Sequence, residues 1–253
     1  MTPGGPNPET QIGGFGREFP STQWSVLLEK NRSDSPAALT AVQALAGLYW
    51  KPVYWYVRSK WSRSNEDAKD LTQDFFIWML EGDFLDRADP NRGRFRGFLK
   101  VALQHYLSND LRAKRRQKRG GDRKLVSLEA LADADFNWNP PDPGGKSPEE
   151  IMDEAWKTEL LTRAQEFLET AYQREEKEVY FQVFRDYFLS ESEEIDYKTV
   201  ASKYGITHSD VSNYLQDAKR RFRTILQDLL SETVEGPEEL MEEHRALFGA
   251  DQG

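Results

Sequence analysis

Apolar residues in the first half of the chain recur at spacings of three and four and show no strict alternation, so helices are the expected elements. Four are marked between residues 20 and 124: "TQWSVLLEK" behind an N-cap Ser21 or Thr22, "PAALTAVQALAGLYWKPVYWYVRSKW", "NEDAKDLTQDFFIWMLEG" and "RFRGFLKVALQHYLSNDLRAKRRQKR". Leu71, Phe75 and Trp78 share a face of the third, and Phe98, Val101, Ala102 and Leu103 supply apolar positions in the fourth. Gly82, Pro90 with Gly93, and Gly120-Gly121 mark the stops. Pro52 has no N–H to donate, so it should begin a helix or kink one.

The pattern lapses over "ADADFNWNPPDPGGKSPEE", which combines Pro-containing turns, paired Gly and carboxylates and reads as a linker. It resumes behind Ser147, an N-cap preceding Pro148, in a long helical run from 151 to 189, and a last helical group follows "SESEEIDY". The expected organisation is all-α with two helical domains: an arm at 1–19, a first domain at 20–124, a linker at 125–148, a second domain at 149–232 and an acidic tail at 233–253. The tail has at most a short amphipathic helix carrying Leu240, Met241, Leu247 and Phe248.

Charge changes this picture more than composition does. The 253 residues carry a formal net charge of −9, yet Arg92 to Lys124 holds twelve basic and two acidic residues, net +10, which leaves −19 elsewhere. A basic patch in an acidic body draws a polyanion to one surface while discouraging indiscriminate coating. The absence of cysteine removes a disulfide framework or thiolate metal site, and no apolar run is long enough for a membrane span, so a cytoplasmic protein is expected. With three His, no Gly-rich phosphate loop and no nucleophile motif, no catalytic, metal or cofactor constellation is expected.

"DYKTVASKYGITHSDVSNYLQDAKRRFRTIL" has the layout of a helix-turn-helix. Tyr197 to Tyr204 forms the first helix, Gly205 turns with positive φ, Ile206 plugs the angle, and the second helix starts near Ser209. Val200, Ala201, Ile206, Val211 and Leu215 form the small core. Ser212, Asn213, Gln216 and Lys219 then face outward toward base edges, while Arg220, Arg221 and Arg223 suit phosphates. A helical hairpin with a solvated polar face is the plain alternative.

For Arg92 to Lys124 three readings stand: a nucleic-acid surface, a localisation or acidic-membrane patch, or a solvated helix end. Phe95, Phe98, His105 and Tyr106 interleave with Arg94, Arg96 and Lys100, as rings and cations do where single strands are bound. Phe98 fits the core better, and His105 and Asn109 face outward. Upstream, Asp67, Asp70 and Asp74 form a narrow stripe that fits a solvated or Arg-paired face better than catalysis, because no His accompanies it.

In this order the parts resemble the extracytoplasmic-function (ECF) group of bacterial sigma factors, over roughly residues 40–118 and 155–228. "NEDAKDLTQDFFIWML" is similar to the helix that binds the polymerase clamp, "FRGFLKVALQHYLSNDLRAKRR" to the segment that melts and reads the minus-ten element, and the helix-turn-helix to the reader of the minus-thirty-five duplex. The resemblance implies that Asp67, Asp70, Gln73, Asp74, Phe75 and Trp78 hold RNA polymerase core. It implies that Gln104, His105, Asn109 and Arg112 read melted single-stranded DNA, with Lys114, Arg115 and Arg116 on its phosphates, and that Ser209, Ser212, Asn213, Gln216, Lys219, Arg220 and Arg223 engage duplex. An anti-sigma factor or a regulatory kinase is a further partner it allows. The chain departs from the usual pattern at Phe98, His105 and Asn109, where Trp, Asn and Asp are common, at Lys69, where an acid is common, and at Ser212 and Asp217, which are often basic. A stand-alone helix-turn-helix regulator of duplex DNA, needing a dimer and a palindromic site, is the main rival. A pure interaction module with Phe76, Ile77 and Leu80 as its docking face is the other. Thr72 lies between Asp70 and Asp74, where a phosphate would add about −1.5 to −2 charge, or it merely fills a helix position.

Overall fold

The computed structural model describes residues 36–61, 64–81, 95–113, 145–190, 195–234 and 236–248, with side chains at 45–60, 64–79, 95–108, 145–190, 195–234 and 236–245. Among these residues every regular element is a helix: α1 (Pro36–Trp61), α2 (Asn65–Glu81), α3 (Phe95–Ala113), α4 (Pro148–Arg174), α5 (Glu178–Phe188), α6 (Tyr197–Tyr204), α7 (His208–Ser231) and α8 (Pro237–Phe248). The helix expected at 22–30, the stops at Gly82, Pro90, Gly93 and Gly120-Gly121, and residues 125–144 of the linker lie outside the described residues.

Helix α1 is the central rod of the first half. Leu45, Leu48, Tyr49, Trp50, Val53, Tyr54, Tyr56 and Val57 are all buried, which leaves almost no polar face between residues 45 and 57. A helix apolar all round must be covered on every side. α2, α3 and α4 provide the cover: Trp50 stacks on Phe76 with ring centroids 5.6 Å apart, and Tyr49 meets Phe95 edge-on at 5.0 Å. Pro52 sits inside α1, which runs through it to Trp61 although Pro52 cannot donate to the preceding turn.

α4 begins where the sequence marks it. Ser147 Oγ accepts from the Glu150 amide at 3.2 Å, the Glu150 carboxylate accepts from the Ser147 amide at 2.7 Å, and Pro148 occupies the first helical turn. The long run expected from 151 to 189 is two helices, because α4 stops at Arg174 and Glu176 takes a left-handed φ of 56°. That reversal folds α5 back onto α4 and α7.

Two apolar clusters result, and α4 and α7 each contribute to both. Ile151, Met152, Trp156 and Leu160 of α4 join α1, α2 and α3 in the first, together with Leu226 and Leu230 from the end of α7. Leu168 and Tyr172 of the same α4 join Phe181, Phe184, Val200, Val211 and Leu215 in the second. Helices α4 and α7 therefore contribute to both clusters, with α4 pressed along α1. The acidic C-terminal segment forms α8, whose Leu240 packs on the first cluster while Met241 is exposed.

Candidate nucleic-acid interface

The carboxylate stripe of α2 is solvent-facing as the spacing requires: Asp67, Asp70 and Asp74 are exposed. Ser64 opens the helix, its hydroxyl accepting from the Asp67 amide at 3.1 Å. Gln73 and Trp78 are half-buried. Phe75 is fully buried, so it shapes the α2 surface from beneath. Thr72 is also fully buried, its hydroxyl donating to the Ala68 carbonyl at 2.7 Å, and a phosphate could reach it only by lifting α2 from the core.

Helix α3 lies beside this stripe. Tyr106 packs on Phe75 at 5.7 Å and on Trp78 at 5.2 Å, and the exposed His105 ring is 6.1 Å from Trp78. Phe75 and Trp78, expected on the polymerase side, thus meet the expected strand reader His105 and its neighbour Tyr106 in one aromatic cluster. Gln104 is exposed and donates to Glu149 at 3.2 Å. Val101 is 62% exposed on the same helix, an apolar surface available to a flat ring. Asn109 and Arg112 lie on the last turns of α3, with side chains outside the described residues, as are Lys114, Arg115 and Arg116 altogether.

The helix-turn-helix is built by three local devices. Asp196 caps α6 by accepting from the Thr199 amide at 2.8 Å. Gly205 ends it in the left-handed region, at φ 65° and ψ 32°, where a Cβ would be strained. Thr207 then caps α7, with the Asp210 carboxylate returning a contact to the Thr207 amide at 2.9 Å, so the second helix starts one residue before Ser209. Val200, Val211 and Leu215 are buried between the two helices, and Ala201 and Ile206 are partly so. Ser209, Ser212, Asn213, Gln216, Lys219, Arg220 and Arg223 are all exposed on α7. Lys219 lies over the Phe188 ring at 4.7 Å, which limits its wandering.

Arg221 departs from the expected phosphate role. It lies 4.8 Å over the Tyr172 ring and pairs with Glu175 at 2.6 Å and Asp217 at 2.8 Å, which binds α7 to the end of α4. Asp217 also accepts from Tyr172 at 2.9 Å and pairs with Arg220, so this acid ties α7 to the end of α4. Residue spacing alone did not reveal this network, because Tyr172 and Glu175 come from another helix.

The network has a pH signature. Hydrogen bonds from Arg221 and then Lys177 hold Glu175 down to about 2, against an ordinary value of 4.5. Burial opposes ionisation of Asp217, but Tyr172, Arg220 and Arg221 outweigh it and hold its carboxyl low. Carboxyls lowered on folding stabilise the folded state above their ordinary range, and that contribution is lost as pH falls through the folded value. The urea midpoint of the chain is therefore expected to fall between about pH 4.5 and about pH 2. A Glu175→Gln variant should be less stable at pH 6, with the difference from the parent shrinking on acidification; a pH-independent difference would contradict the assignment.

Among the described residues no helix is long and apolar enough to cross a membrane, and no group of His, Asp or Glu is arranged to hold a metal. No curated protein and no solved structure matches the sequence. A family profile described as ECF sigma factor matches residues 55–223, from the second half of α1 through most of α7 and about two-thirds of the chain. An acid-striped α2 beside α3 and the exposed polar face of α7 up to Arg223 both fall inside that match, and the chain belongs to the ECF sigma factor family.

Proposed function

We propose that this sigma factor docks on RNA polymerase core through the α2 stripe, captures the melted minus-ten strand with α3 and the basic residues after it, and reads the minus-thirty-five duplex with α7. Sigma factors are transcription initiation factors and not enzymes. They act by bringing polymerase to promoter DNA.

The exposed polar face of α7 carries the reading. Seven side chains capable of base or phosphate contacts project from a helix whose start is fixed by a left-handed glycine and a two-way cap. Such a face in the major groove offers Asn and Gln to adenine edges and Lys and Arg to guanine or phosphates. The polycation at 112–119 supplies what opened DNA needs, backbone neutralisation with counterion release, and the acidic remainder opposes binding to bulk DNA. The free chain should therefore bind promoter duplex weakly and gain sequence selectivity on core.

Co-purification with RNA polymerase core tests the docking. A stoichiometric complex is expected, weakened about tenfold by Asp67→Asn, Asp70→Asn and Asp74→Asn together. No complex with core, combined with tight specific duplex binding by the chain alone, would support the stand-alone regulator instead.

A further inference from the structure

Two complementary stripes face each other in the first cluster. Arg96, Lys100 and Gln104 stand at successive four-residue steps on α3, and Glu149 and Asp153 stand four apart on α4. The helices run antiparallel along this seam. Arg96 pairs with Asp153 at 3.1 Å, Lys100 with Asp153 at 2.8 Å, and Gln104 donates to Glu149 at 3.2 Å. Glu149 also takes Tyr56 at 3.0 Å and lies 3.6 Å from Lys60. Burial opposes ionisation of Glu149, but its amide, Tyr56 and Lys60 outweigh that and keep it charged.

A third carboxylate arrives from the C-terminus. Glu243 of α8 is 1% exposed and pairs with Arg96 at 2.8 Å. Arg96 is thus held on three sides: one guanidinium nitrogen is on α4, another on α8, and its central carbon lies 4.1 Å from the Trp156 ring centroid. Both of these cations and this amide sit on the helix assigned to the minus-ten strand, and acids of the same chain hold all three. A phosphodiester carries the same single negative charge as each carboxylate already there and likewise offers two acceptor oxygens to Arg or Lys.

We propose that Glu149, Asp153 and Glu243 stand in for DNA phosphates on α3, so that the free chain occupies the Arg96, Lys100 and Gln104 side of its strand-binding helix and frees it when α8 and the first turns of α4 are displaced. The proposal rests on the assignment of α3 to the minus-ten strand. Apparent affinity of the free chain for single strands is reduced by the fraction of molecules that are shielded. Single-stranded DNA competes with the acids for α3, weakly for the free chain and more effectively where core holds the opened strand beside it. The C-terminal helix then acts as a latch, with Glu243 as its catch on Arg96.

Fluorescence anisotropy of the full chain with a labelled single-stranded oligodeoxynucleotide of mixed sequence provides the first test. The Asp153→Asn, Glu243→Gln double variant is expected to bind about tenfold more tightly than the parent. Adding Arg96→Gln and Lys100→Gln should return the affinity to the parent's value or below. An unchanged affinity in the folded double variant overturns the shield. Hydrogen exchange of the unaltered chain gives a readout free of mutation. Saturation with the same oligonucleotide is expected to speed exchange at 237–248 and 148–153, and unchanged or slower exchange at both overturns it. Failure of the underlying assignment looks different: Arg96→Gln, Lys100→Gln chains on core would then open promoters as well as the parent does.

Discussion

Trp156→Ala is expected to lower the unfolding free energy by about 3–5 kcal/mol. The ring is fully buried on the α4 face that meets α1, and Arg96 spreads over it at 4.1 Å. Its removal leaves a cavity where α4 grips α1, α2 and α3, and it uncovers one side of a cation held by two carboxylates. Urea unfolding followed by circular dichroism measures the loss. Phe167→Ala, at a site 52% exposed on the same helix, is the control and should change stability by only about 0.5 kcal/mol. Because α4 and α7 both contribute to the two clusters, a single transition is expected for the parent. Two separated transitions would show that the clusters unfold independently.

Asn213→Ala and Gln216→Ala are each expected to erase about 1–3 kcal/mol of discrimination at one minus-thirty-five position, roughly fivefold to 150-fold, without changing stability. Both side chains are exposed on α7 and neither contributes to the apolar clusters. The loss should be confined to the base pair each one reads. Arg223→Gln should behave differently, weakening all sequences alike and reducing the salt slope of binding by about one. Competition among promoter variants for the polymerase complex, repeated at several salt concentrations, separates the two classes. Uniform weakening by Asn213→Ala would move that residue to the phosphate backbone.

Legibility in the sequence varied with how local the cause was. Ser147-Pro148 and Gly205 announce a helix start and a helix stop through groups within three residues, and both stand where the pattern places them. The break at 175–177 has no Gly or Pro, and Glu176 adopts a left-handed φ in a run of charged residues that reads as continuous helix. Tertiary packing of α5 against α7 overrides the propensity there. Periodicity also showed that α1 needs cover without showing what covers it, so the pairing of α4 with α1, far apart in the chain, could not be read. Within the site, exposure of the α7 face followed from spacing. The diversion of Arg221 to Glu175 and Asp217, and the burial of Glu243 against Arg96, depend on residues far apart in the chain. One clue to the α3–α4 seam was present: a basic stripe at 96 and 100 answered by an acidic one at 149 and 153.

Transcription in vitro with purified core, a promoter library and this chain tests most directly whether it specifies initiation. Core plus the chain is expected to start at a defined subset of templates that core alone ignores. Glutamate replacement of Lys114, Arg115 and Arg116 should abolish open-complex formation while leaving the complex with core intact. Start sites unchanged by adding the chain, or promoter opening unaffected by that charge reversal, would contradict the account.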